Sequence, residues 1–117
     1  MIFCVTRSLD EAASALLRED ALAVWGVGCH PGVATAQKQF SEERFAELIQ
    51  RTCFAGELGL DGARANLHRQ QVTLRGALQV LKLIPGSQAF SAGATRPLLD
   101  ELARTPIRGA VASLVAR

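Results

Sequence analysis

The segment Thr52-Cys53-Phe54-Ala55-Gly56-Glu57-Leu58-Gly59-Leu60-Asp61-Gly62 carries a short strand and, near that strand's C-terminal end, a carboxylate. Phe54, Ala55, Leu58 and Leu60 are its apolar positions; two glycines interrupt it and an Asp-Gly turn closes it. An ionised carboxylate stays in such surroundings only when it is paired or holds a metal. Glu57 is therefore the first candidate for chemistry.

Upstream, Ala23 to Gly28 is an uncharged run containing the only tryptophan, Trp25, as expected of a strand covered by helices on both faces of a parallel sheet. Cys29-His30-Pro31-Gly32 ends it, because proline cannot continue a ladder and holds the residue before it extended. His30 then lies on a loop after a strand, the side of a parallel α/β fold where ligands bind. Between the two strands, Val33 to Gln39 reads as a polar loop with at most a helical turn. Ser41 caps a helix to about Thr52, with Phe40 and Phe45 as a hydrophobic staple and Phe45, Leu48 and Ile49 facing inward.

Toward the N-terminus, Ile2 to Thr6 is a run of strand formers. Ser8-Leu9-Asp10-Glu11 fits a capping box, and the helix it opens runs to about Glu19 with Leu9, Ala12, Ala13, Leu16 and Leu17 as its buried stripe. Beyond Glu57, Gly62 to Asn66 is a loop and Leu67 to Leu83 a helix with Leu67, Leu74, Leu78 and Leu81 on one face. Gln88 to Ala92 is a poor strand, Thr95 caps a helix ended by Pro106, and Ile107 to Val115 is a last strand. The order β-α-β-α-β-α-β-α-β predicts an α/β fold with a parallel sheet built from βα repeats.

Composition bounds the function classes. At 117 residues the chain is a single domain, 1–117, far short of the roughly 250 residues of a complete (β/α)₈ barrel. Hydrophobic residues make up 49% and charged residues 21%, ordinary for a globular domain. No window approaches a membrane span of about 18 apolar residues, no secretion signal opens the chain, and a cytoplasmic location is expected. A net charge of +2 from 13 basic and 11 acidic residues, spread along the chain, leaves no basic block to recruit a phosphate backbone. The three cysteines, Cys4, Cys29 and Cys53, lack Cys-x-x-Cys spacing and read as reduced, buried thiols; a zinc site of Cys29, His30 and another cysteine is the alternative.

Gly56-Glu57-Leu58-Gly59-Leu60-Asp61 resembles the GEIGLD motif of the TatD-related deoxyribonucleases, metal-dependent phosphoesterases on a (β/α)₈ barrel. Gly26-Val27-Gly28-Cys29-His30-Pro31 is similar to that family's G-x-HP segment, Gln70-Gln71 sits where the family has a glutamine opening a helix, and Ser91 to Leu99 resembles its next strand-to-helix turn. The resemblance implies a partial, half TIM-barrel domain and a hydrolase acting on DNA or another phosphodiester. It further implies a divalent metal ion of the Mg or Zn class, with Glu57 a metal ligand and His30, Asp61 and Arg96 shaping the substrate pocket.

The same resemblance shows what this chain lacks. The family's His-x-His pair has no counterpart here, Phe90 stands at the position of one later histidine, and Ser113 stands near that of another. No catalytic residue is assigned, and these 117 residues are expected to be inactive alone, the alternative for the cofactor being that none is bound. The alternative is a non-catalytic, degenerate α/β scaffold or interaction domain. Five strands could form either a half barrel or a flat doubly wound sheet, and a half barrel would leave apolar surface and open sheet edges, inviting self-association. For individual residues the plainer roles are a braced strand end for His30, a turn for Asp61, and solvated positions for His68 and Arg96.

Overall fold

The computed structural model describes residues 1–61 and 66–84, together with the backbone of two short strands at 91–92 and 112–115. Its elements are β1 (Ile2–Cys4), α1 (Leu9–Ala15), β2 (Ala23–Trp25), α2 (Ala34–Gln39), α3 (Glu42–Ile49), β3 (Ala55–Leu58), α4 (Leu67–Lys82), β4 (Ser91–Ala92) and β5 (Ala112–Val115). Every strand pairing among them is parallel. The α/β class and its parallel pairing agree with the alternation read from the sequence.

β1 pairs with β2, register Ile2 to Ala23 through Cys4 to Trp25. Past β2, Val27 bridges Ala55, so β1, β2 and β3 lie side by side in chain order. That order breaks at β5, which lies between β3 and β4, whereas a barrel places each strand beside the next one in sequence.

The helices show how far local signals reach. At α1, Ser8 Oγ accepts from Glu11 N–H at 3.0 Å, one half of the expected capping box. Glu11 turns its carboxylate instead toward Arg7 Nε, 3.4 Å away. The helix stops at Ala15 rather than near Glu19, because Leu17 has nothing to pack against and lies 75% exposed. At α3 both expected devices form: Ser41 Oγ accepts from Arg44 N–H at 3.2 Å, and the Phe40 and Phe45 rings sit 5.7 Å apart. α2 occupies the segment read as a polar loop, held by burial of Ala36 and Gln37. Leu74, Leu78 and Leu81 form the buried stripe of α4, packed with Phe45, Leu48 and Ile49 of α3 in one core with Leu9, Val27 and Leu58.

Three other expectations meet corrections or fall outside the description. Trp25 is only half-buried, packed by the Arg18 guanidinium 5.6 Å from its ring centroid, so β2 is not covered fully on both faces. Of the three free thiols Cys29 alone is buried; Cys53 is exposed and Cys4 half-buried. The Thr95 helix, Phe90 and Arg96 lie outside the described residues.

Candidate functional site at the C-terminal ends of the strands

The site is assembled around a residue with no side chain. A Cβ on Gly28 would fall 2.0 Å from Thr6 O, 2.2 Å from Glu57 N and 2.4 Å from Gly56 O. Only glycine lets the chain after β1 approach β3 so closely across the end of β2. Thr6 uses the opening fully. Its N–H donates to Gly56 O at 3.0 Å and its carbonyl accepts from Glu57 N–H at 2.9 Å. Its hydroxyl donates to Gly26 O at 2.7 Å and accepts from Gly28 N–H at 3.0 Å. A fully buried threonine thereby ties three strand ends together.

Glu57 is fixed by this arrangement. With its N–H held by Thr6 and its carbonyl accepting from Cys29 N–H at 2.9 Å, its backbone is bonded on both sides at the C-terminal end of β3. Its carboxylate is left to the rim of the sheet, 16% exposed. There it meets the loop after β2: His30 Nε2 lies 3.5 Å from Glu57 Oε1. The two residues the sequence placed separately on this rim are thus brought together.

His30 is held at three further points. Its N–H donates to Arg7 O at 2.9 Å. Its carbonyl accepts from Gln37 Nε2 at 3.1 Å, and its Nδ1 accepts from Gly32 N–H at 2.8 Å. Gln37, on α2, also donates to Cys29 Sγ at 3.4 Å. Burial pushes the Cys29 thiol up to about 12, so at neutral pH it is protonated, whereas zinc takes the thiolate. The alternative zinc site of Cys29, His30 and another cysteine therefore gains no support from this geometry.

Asp61 lies three residues beyond β3. Its N–H donates to Gln70 Oε1 at 2.6 Å and its carbonyl accepts from Gln70 Nε2 at 3.2 Å, the same amide also reaching Asn66 Oδ1 at 2.8 Å. Gln70 is fully buried and staples the end of the strand segment to the first turn of α4; the expected Asp61-Gly62 turn runs on into residues outside the described ones. His68 is exposed on α4, as its solvated reading requires. Ser113 pairs with Gly56 through the β3–β5 register.

Tested against zinc, the donor set among the described residues is too small. A catalytic metal site takes about three protein ligands and a structural one about four. At this rim one carboxylate faces one imidazole, and no group of three His, Cys, Asp or Glu side chains converges among the described residues. The described residues do not by themselves complete a zinc site, whereas a Mg-class ion takes one or two carboxylates and keeps its waters. Thr6 and Gln37 are the members of the site that pattern reading missed; their partners lie across the fold, and neither residue sits in a recognisable motif. No family model matches the chain, and no curated protein matches it.

Proposed function

We propose that this chain is a TatD-like βα scaffold, a partial barrel with barrel-like strand order over β1 to β3, in which Glu57 keeps the place of a hydrolase carboxylate without a completed phosphodiesterase site around it. The observation that carries this reading is the position of Glu57: at the C-terminal end of a parallel strand, backbone bonded on both sides, carboxylate at the rim beside His30. Ligands bind at that end of parallel α/β sheets. DNA or a related phosphodiester is the substrate class this ancestry suggests, with a Mg- or Zn-class ion as its cofactor. Hydrolysis would need further ligands beside Glu57 to hold the ion and activate a water.

The test is a nuclease assay on single- and double-stranded DNA with added Mg²⁺ or Mn²⁺, run on the parent and on Glu57→Ala. The expected result is no cleavage by either. Metal-dependent cleavage by the parent that disappears in Glu57→Ala would show a working enzyme and overturn the proposal. The second reading, a non-catalytic interaction scaffold, is favoured by the engagement of the Glu57 carboxylate with His30. No described helix is long and apolar enough to cross a membrane, and we place the protein in the cytoplasm.

A further inference from the structure

We infer that Glu57 serves as the partner of a histidine locked in its Nε2–H tautomer, so that His30 and Glu57 brace the strand ends together and do not share a cation. This goes beyond the proposed scaffold function, since it assigns the carboxylate a role of its own.

Distance does not decide the matter. Two ligands each about 2.1 Å from a tetrahedral zinc lie roughly 3.4 Å apart, and His30 Nε2 is 3.5 Å from Glu57 Oε1. Proton placement decides it. A backbone N–H can only donate, and Gly32 N–H points at His30 Nδ1 from 2.8 Å, so Nδ1 carries the lone pair. In a neutral imidazole the proton then resides on Nε2, the nitrogen that lies 3.5 Å from the carboxylate oxygen. A histidine that ligates through Nε2 needs the opposite arrangement, with Nδ1 protonated and donating to an acceptor. Here that would set two N–H groups face to face across 2.8 Å.

Turning the ring over does not rescue a metal role. Cδ2 would replace Nδ1 opposite Gly32, whose N–H would lose its acceptor, and Cε1 would replace Nε2 opposite the carboxylate. The surrounding bonds leave little room for the loop itself to readjust: His30 is tied through N–H to Arg7 and through its carbonyl to Gln37. The pair thus joins the loop after β2 to the end of β3 through side chains, where Cys29 N–H to Glu57 O joins them through the backbone.

The test is long-range ¹H–¹⁵N correlation NMR on the uniformly labelled full chain at about pH 8, where an ordinary imidazole is neutral, followed by titration with Zn²⁺ and, separately, Mn²⁺. The expected result is a His30 Nδ1 in the unprotonated range and Nε2 in the protonated range, with exposed His68 as the internal reference. Neither ion should shift or broaden His30 and Glu57 more than surface carboxylates elsewhere. Glu57→Gln should keep the tautomer, because Gly32 sets it. A protonated Nδ1 in the parent, or selective Mn²⁺ broadening at His30 and Glu57, would overturn the inference. Selective broadening without DNA cleavage would leave the proposed function standing, and cleavage without it would remove only that function.

Discussion

Replacing Gly28 by alanine should be the most damaging single-methyl change in the described fold, and the structure says by how much. The added Cβ meets three backbone atoms, Thr6 O at 2.0 Å, Glu57 N at 2.2 Å and Gly56 O at 2.4 Å. Relief requires the strand ends to separate. Separation breaks the Thr6 N–H bond to Gly56 O, the Glu57 N–H bond to Thr6 O and the Gly28 N–H bond to Thr6 Oγ1. Three such bonds at about 1 kcal/mol each, with about 1–3 kcal/mol for overpacking a filled interior, give about 4–6 kcal/mol. That is a large share of the roughly 5–15 kcal/mol available to a domain.

Two other glycines calibrate the scale. At Gly26 the new methyl meets the Phe54 ring, its nearest carbon 2.4 Å away, and a ring can shift at a cost of about 1–3 kcal/mol. At Gly76, inside α4, it meets the end of the exposed Glu42 side chain, with Oε1 at 2.6 Å. That side chain can swing into solvent, leaving a helix-propensity gain of up to about 1 kcal/mol. Urea unfolding followed by Trp25 fluorescence should therefore rank the alanine variants in loss of stability as Gly28, then Gly26, then Gly76, the last neutral or stabilised. A loss below about 1 kcal/mol at Gly28, or an equal loss at Gly76, would refute the packing argument.

Thr6→Val keeps the shape of the side chain but removes the hydroxyl that serves Gly26 O and Gly28 N–H; two buried backbone groups left unpaired should cost about 2–4 kcal/mol, measured by the same unfolding experiment. Cys29 should resist thiol reagents in the native state while Cys53 reacts at once, and mass spectrometry after a short labelling pulse would show the order. The raised Cys29 pKa also sets a pH dependence: the folded state holds the proton longer than the unfolded state, so its contribution is whole below about pH 9 and declines as pH rises toward about 12. The parent should lose stability more steeply than Cys29→Ala across that window, and parallel slopes would count against the burial argument. Finally, Ile2 and Phe3 on β1 are 61% and 63% exposed, an apolar strand of the kind that invites pairing with a second copy. Sedimentation velocity should show association that rises with concentration and weakens in Ile2→Lys, whereas a monomer throughout would remove that expectation.

What the sequence made legible follows from how local each signal is. Ser41 with Phe40 and Phe45 specifies the start of α3 within a few residues, and the leucines of α4 repeat with a helix's own period, so both elements appear, α3 ending at Ile49 and not near Thr52. α2 has no such period. It is helical because Gln37 finds its partners in Cys29 and His30, and a bond made across the fold leaves no trace in the pattern of residues 33–39. Leu17 misleads in the opposite direction: with Leu16, which does pack against the core, it extends an apolar stripe in the sequence, but the structure offers Leu17 no surface to cover. The alternation of strands and helices implies parallel pairing, yet it is indifferent to whether β4 or β5 lies beside β3.

The candidate site shows the same division more sharply. Glu57 and His30 could each be placed on one rim, because His30 follows a strand and Glu57 lies near the C-terminal end of one, each closed by a turn signal. Their meeting could not be read, because it depends on Gly28, whose contribution is the absence of an atom. In the sequence Gly26-Val27-Gly28 reads as the end of a strand, and a strand glycine marks a close backbone approach without naming the partner. Its actual use is to let Thr6 and Glu57 bond across the end of β2, which fixes the carboxylate's backbone and turns its side chain toward the imidazole. A carboxylate set this way answers to its nearest proton before it answers to any cation. The arrangement that makes Glu57 conspicuous as a lone acidic residue is therefore the arrangement that gives it a partner.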